Sequence, residues 1–177
     1  KAVMASAAAN TNSAHLKLHV VNISGGKDST ATYLLALERG RPFRAVTCDT
    51  GHEHPTTYEF IRALSERTGG PPVEVVRADF TAKMATRRAN LRARWSKDGI
   101  SAARIDQVLT LLHPTGIPFL DLCMLRGRFP STRARVCTQE LKEMPFHEHV
   151  ERPAIEPFGR FVQWLGVRRD ESKARAN

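Results

Sequence analysis

The chain has 177 residues, with 27 Lys and Arg against 18 Asp and Glu, giving a formal net charge of +9 and a pI near 10.1. That length suits one domain able to bury a core, and a hydrophobic content of 41% is ordinary for a globular fold. No apolar run reaches the ~18 residues a membrane helix needs, and three cysteines (Cys48, Cys123, Cys137) cannot all pair, so a membrane span and a closed disulfide framework are both excluded.

Residues 1–15 are rich in Ala, Ser and Asn, lack an initiator Met and lack the apolar centre of a signal peptide. They read as a disordered lead-in or an added leader, with a single nucleotide-binding domain over 16–177. Leu16 to Ile23 reads as a strand that ends at Ser24-Gly25-Gly26. A helical pattern follows, with Ala31, Leu34, Leu35 and Leu37 as its apolar members. A strand, a glycine turn and a helix start together make an anion site, because free N–H groups of the first helical turn point at the ligand. Lys27 adds a full positive charge, Ser24, Ser29 and Thr30 add hydroxyls, and Asp28 completes the loop. The spacing is not that of a Walker A loop.

Gly40-Arg41-Pro42 breaks the helix. Phe43 to Cys48 is a predicted buried strand, Pro55 to Arg67 a helix, and Val73 to Val76 a third strand. This alternation predicts an α/β fold: a three-layer, doubly wound, mostly parallel sheet with helices on both faces. Ligands in such sheets sit outside the carboxyl ends of the strands, where the 24–30 loop and Asp49-Thr50-Gly51 both fall. Asp49 can contact Mg²⁺, accept a ribose hydroxyl, or simply make an Asp-Thr-Gly turn. Thr81 to Trp95 is helical and basic, Ile105 to Leu112 is a further helix, 113–118 a loop, and Phe119 to Leu125 a short apolar segment. Cys137-Thr138 leads a helix to about His149, and Phe161 to Gly166 is the last strand.

Basic residues cluster at Arg87, Arg88, Arg92, Arg94 and Lys97, and again at Arg126, Arg128, Arg133 and Arg135. They suit either a nucleic-acid partner or a solvated face. Only Trp95 interleaves the first cluster, so a stacking platform for single strands is not indicated. His52 and His54 flank Glu53, but with no third ligand at suitable spacing zinc is not expected.

Four segments in order then resemble one family. Ser24-Gly25-Gly26-Lys27-Asp28-Ser29 resembles the PP-loop of the adenine-nucleotide α-hydrolase superfamily. Asp49-Thr50-Gly51-His52-Glu53-His54-Pro55-Thr56-Thr57-Tyr58 is similar to the Asp-Thr-Gly segment of the PAPS reductase-like family (phosphoadenosine phosphosulfate reductases). The stretch from Cys137 through Lys142 to Pro145 is similar to that family's Cys-x-x-x-x-Lys-x-x-Pro. Gly166 to Arg175 is similar to its Gly-x-Arg-x-x-x-Ser-x-x-Arg.

The resemblance implies ATP or an adenylylated sulfate (PAPS) as substrate, Mg²⁺ as cofactor, and chemistry at the α-phosphate or sulfate in sulfur metabolism or transfer. It assigns Ser24 to Thr30, Asp49, Thr50, Gly51, Lys142, Gly166, Arg168, Arg169, Ser172 and Arg175 to nucleotide binding, with Lys27, Arg168 and Arg175 as catalytic groups. The arginines also suit a charged chain end, and Lys142 a solvated side chain. The lysine-containing loop is closer to members that split ATP to AMP and pyrophosphate, including ATP sulfurylase small subunits and DNA phosphorothioation proteins. A thiol-dependent reductase whose nucleophile lies outside this chain, and a non-catalytic nucleotide- or nucleic-acid-binding module, are the alternatives. The family's C-terminal cysteine segment is missing. Cys137 is a remnant cluster ligand, a redox thiol or a buried structural thiol, and no complete iron–sulfur cluster is expected from this chain alone. A reducing cytoplasm is the expected setting, with no membrane partner; a homodimer or a partner protein is compatible with the sequence.

Overall fold

The structure, a computed structural model, describes residues 17–131 and 135–167. Four parallel strands, β1 (Leu18–Asn22), β2 (Phe43–Cys48), β3 (Val73–Val76) and β4 (Phe161–Trp164), form one sheet in the order β3-β2-β1-β4. Val20 of β1 registers with Arg44 of β2 on one side and Gln163 of β4 on the other. The order runs outward from β1 through β2 to β3, then returns to the opposite side of β1 for β4. The order in which strands are added therefore reverses at β1 while all four strands stay parallel, the kind of position where α/β sheets open a ligand crevice.

Alternation along the strands separates two apolar layers. Val21, Ile23 and Ala45 face α1 (Lys27–Glu38) and α2 (Pro55–Thr68), packing with Tyr33, Ala36, Ile61 and Leu64. Val20, Val46 and Val76 face the other way and pack with Phe146 and Val150. The sheet thus lies between two helical layers, the three-layer α/β architecture expected from the sequence.

The second layer is a long helix over residues 136–158 in which two π-helical stretches, Gln139–Glu143 and His147–Glu151, interrupt α-helical turns. Each stretch ends shortly before a proline, Pro145 or Pro153. Proline cannot donate to the carbonyl four residues earlier and its ring clashes there; those carbonyls belong to Leu141 and His149, inside the π stretches, which accommodate the mismatch. The helix therefore runs past the expected end near His149 to Phe158.

α3 (Thr81–Lys97) and α4 (Ala102–Leu111) form an antiparallel hairpin, and α5 (Pro118–Arg126) follows. The sequence suggested only an apolar segment at 119–125. Pro118 in the first turn and left-handed Gly127 at the end are the helix start and stop signals that make it a helix. Phe80, Leu122 and Leu141 tie α3 and α5 to the 136–158 helix. Glu140 fastens the same joint, accepting from Lys83 at 2.8 Å and from Arg126.

Among the described residues no helix is long and apolar enough to cross a membrane.

Candidate functional site

β1 ends at Asn22, and Ile23 and Ser24 lead into the glycine turn. Gly25 has φ 75°, and a Cβ there would sit 2.6 Å from Thr57 Cγ2, so the turn needs glycine for both backbone and space. The loop is stitched to itself. Ser24 N–H donates to Ser29 Oγ at 3.1 Å, Ser29 Oγ donates to the Gly26 carbonyl at 3.0 Å, and Thr30 Oγ1 donates to the same carbonyl at 2.9 Å. These bonds hold the α1 N-terminus open without a side-chain cap on Gly26. The first-turn N–H groups and the helix dipole then favour an anion. Lys27 is the first residue of α1 and is exposed.

A cleft of about 1120 Å³ lies along the carboxyl edge of the sheet. Each strand contributes to it: Asn22 at the end of β1 and Ser24 after it, Asp49 and Gly51 after β2, Arg77 after β3, and Gly166 after β4. Ser29 lines it from α1 and Lys142 from the 136–158 helix. Gly25, Gly26, Lys27, Asp28 and Thr30 belong to the adjoining loop rather than to the cleft wall, and Thr50 is buried beneath it, its hydroxyl donating to Glu53 at 3.1 Å. Gly166 approaches α1 so closely that a Cβ would lie 2.5–2.7 Å from backbone atoms of Asp28 and Ser29. The chain after β4 is thereby seated on the start of α1. Arg168, Arg169, Ser172 and Arg175 lie outside the described residues.

Asp49 is 5% exposed, and both its oxygens are engaged. Oδ1 accepts from the Gly51 N–H at 2.7 Å and from the Tyr58 hydroxyl at 2.8 Å; Oδ2 accepts from Arg77 Nε at 2.7 Å and from its Nη2. Burial pushes the carboxyl pKa up, but the Gly51, Tyr58 and Arg77 donors outweigh it and hold the pKa below the ordinary carboxylate value. Asp49 is thereby paired with the Arg77 guanidinium, which it holds at the cleft wall. Among the described residues no group of three or more His, Cys, Asp or Glu side chains is gathered to hold a metal. His54 caps α2, accepting from Thr56 N–H at 3.2 Å, and His52 stacks on Phe119 at 4.8 Å.

Three cleft residues escaped the sequence reading. Arg77 is the first residue beyond a correctly expected parallel strand, and that position was the signal available for it. Tyr58 enters the sequence reading as the last residue of the Asp49–Tyr58 segment, with no site role, yet its hydroxyl donates to Asp49. Asn22 lines the cleft, and its Oδ1 is the buried side-chain oxygen that lacks a partner among the described residues. Such an acceptor suits a ligand N–H or O–H.

The cysteines divide. Cys48, expected in the core, is half-buried, lines the cleft and donates its thiol to the Lys142 carbonyl at 3.5 Å. Burial raises its pKa, with Lys142 partly opposing. Cys137 packs against the Phe80–Leu122–Leu141 cluster and does not line the cleft. All three thiols are free.

The family model described as the phosphoadenosine phosphosulfate reductase domain matches residues 18–177. The chain belongs to that family. Curated proteins similar to it include an uncharacterized 37.8 kDa protein in the gpa 5′ region of Escherichia phage 186. That protein is 44% identical over 168 residues, covering 90% of this chain and 50% of the relative. The uncharacterized nin region protein ORF290 of Escherichia phage lambda is 30% identical over 163 residues, covering 88% and 50%. The chain thus spans about half the length of these curated relatives.

Proposed function

We propose that the cleft binds an adenine nucleotide, ATP or an adenylylated sulfate, and that the domain acts at the α-phosphate or sulfate, with splitting of ATP to AMP and pyrophosphate the favoured chemistry. The observation that carries this reading is the convergence of the self-stitched 24–29 loop, Arg77 and the Gly166 segment on one strand-end crevice in a chain of this family.

The loop N–H groups and Lys27 would take phosphate oxygens, and Arg77, held by Asp49, would offer a fixed cation across the cleft. Ser24 would donate at the floor, with Ser29 Oγ held by its bond to the Gly26 carbonyl, and the unpartnered Asn22 Oδ1 would accept from the nucleoside. Donors fixed before charge develops stabilise it without reorganising, which is how such a site accelerates reaction without a side-chain nucleophile. Mg²⁺ would enter with the nucleotide, held mainly by its phosphate oxygens and water, and would neutralise phosphate charge. Arg168 and Arg175 are retained as proposed catalytic groups, and Arg169, Ser172 and Lys142 as proposed binding groups.

A thiol-dependent reductase is less favoured within this chain. Cys48 is the thiol that lines the cleft, and its raised pKa keeps it protonated at neutral pH. The deciding experiment incubates the protein with Mg²⁺ and either ATP or an adenylylated sulfate plus thiol reductant. Pyrophosphate release from ATP is the expected result. Sulfite release would support the reductase, and binding without turnover would leave a nucleotide-sensing module.

A further inference from the structure

α3 carries six basic side chains and no acidic one in its 17 residues. At 100° per residue, Met84, Arg88, Leu91 and Trp95 fall on one side of the helix, and all four are buried or half-buried against the rest of the protein. Lys83, Arg87, Asn90, Arg94 and Lys97 fall within about 40° of one line on the other side, and all five are exposed. The basic cluster is therefore ordered in space as an outward stripe, ~21 Å long at 1.5 Å per residue.

The cations off the stripe have structural tasks. Arg88 caps α4, donating to the Leu109 carbonyl and to the Leu112 carbonyl at 2.8 Å, and Arg92, exposed on the side of α3 opposite the stripe, pairs with Asp106 at 2.7 Å. The stripe is less well neutralised. Lys83 is tied to Glu140 and Arg94 lies 3.7 Å from Asp98, whereas neither Arg87 nor Lys97 has an ion-pair partner among the described residues. Lys83 with Arg87, and Arg94 with Lys97, are like-charged neighbours at helical spacing, an arrangement that costs helix stability and that a polyanion relieves.

We infer that this face of α3 binds the phosphate backbone of duplex nucleic acid. One strand of a duplex places about six phosphates along ~21 Å, matching the length of the stripe. Trp95 faces α4, in a shallow depression with Ile100, Arg104 and Val108, so it is not presented for stacking on unpaired bases. Contact through cations alone makes binding electrostatic and indifferent to sequence. α3 begins four residues after Arg77, so the stripe starts beside the cleft mouth, and a bound duplex would pass close to the proposed nucleotide site.

The test is fluorescence anisotropy of a labelled duplex of about 30 base pairs, in two unrelated sequences and without nucleotide or Mg²⁺, across roughly 50–200 mM salt. It reads nucleic-acid binding directly, so its failure is distinct from failure to turn over ATP. Wild-type protein should bind both sequences with similar affinity and a steep salt dependence. The double variant Arg87→Gln/Lys97→Gln should flatten the slope of log affinity against log salt by about 1.8, two contacts at 0.9 each, and weaken binding at least tenfold at the lowest salt. Arg41→Gln/Arg67→Gln removes the same charge from the α1–α2 side of the sheet and should change affinity by less than threefold. Equal losses in the two double variants, no binding by wild type at ~50 mM salt, or a strong preference for one sequence would each overturn the assignment. Both variants should melt as wild type does at about pH 7.5, because among the described residues none of the four side chains has a hydrogen-bond partner and His19 is neutral there with or without the Arg41 charge.

Discussion

Asp49 and Arg77 leave the ends of adjacent strands and meet above the sheet edge, with Arg77 Nε 2.7 Å from Asp49 Oδ2. The carboxylate is buried while the guanidinium is half in solvent. The pair is therefore asymmetric: the buried carboxylate fixes a half-exposed cation at the cleft wall.

Removing the charge at Asp49 tests that relationship. Asp49→Asn keeps an acceptor for Gly51 N–H but releases Arg77. It should destabilise the fold by about 1–2 kcal/mol, between the ranges for exposed and buried ion pairs. ATP affinity should fall in parallel with that of Arg77→Gln, and the double variant should lose little more than either single one. Additive losses in calorimetric titration would show that the two residues act separately. The acid limb has a definite sign. The folded carboxyl pKa is depressed, so its contribution is complete above the unfolded value of about 3.9 and is lost as pH falls through the folded value.

Lys27 is the cleanest probe of the loop. It is exposed, and among the described residues its side chain makes no hydrogen bond or ion pair that its removal would break. Lys27→Ala should weaken ATP binding by about 1.5–3 kcal/mol, the range for a hydrogen bond to a charged group, and leave the denaturation midpoint nearly unchanged. An unaltered titration would remove the loop lysine from the binding site.

Strand identity was legible because three parallel strands are short apolar runs punctuated by glycine and proline: β2 and β3 occupy the residues expected, and β1 differs only at its ends. The strand-end rule then located Ser24 and Asp49. It would have located Arg77 too, had the residue after Val76 been read by position rather than by motif. The Asp49–Tyr58 bond was hidden because it crosses from a strand end into the first turn of α2, and only the fold brings those atoms to 2.8 Å. The helix 136–158 was read short at its end because Pro153 is a helix-breaking signal that the preceding π turn absorbs. The basic cluster was visible as composition, but its division into a capping face and an exposed stripe depends on where α4 packs.

Gly166 tests whether the chain after β4 belongs to the site. Its Cβ position is occupied by backbone of Asp28 and Ser29, which cannot turn aside as a flexible side chain would. Gly166→Ala should therefore cost about 1–3 kcal/mol, the usual cost of overpacking. It should also weaken nucleotide binding more than its effect on stability explains, because the displaced atoms are those of the anion loop. Chemical denaturation and titration of the same preparation give both numbers. A stable variant with normal affinity would mean that the contact is dispensable.

His19 and Trp164 join β1 to the edge strand β4, and so control how firmly Gly166 is delivered to the loop. Trp164 Nε1 donates to His19 Nδ1 at 2.9 Å, with the rings edge-on at 5.8 Å. That bond requires a neutral acceptor nitrogen at His19. Burial, and then the charges of Arg41 and Lys17, lower the His19 pKa and keep the ring neutral. A base with a depressed folded pKa binds more protons when unfolded, so stability rises with pH across the interval between the two values. The contribution is complete above about 6.5, the unfolded value, and is lost as pH falls through the folded one. His19→Gln retains a side-chain acceptor without a titrating ring. The melting temperature of wild type should therefore drop further than that of His19→Gln between pH 7.5 and pH 5.5, and nucleotide affinity should decline with it as β4 loosens. Parallel melting curves for the two proteins across that interval would place the pH response elsewhere and leave the His19–Trp164 bond as packing alone.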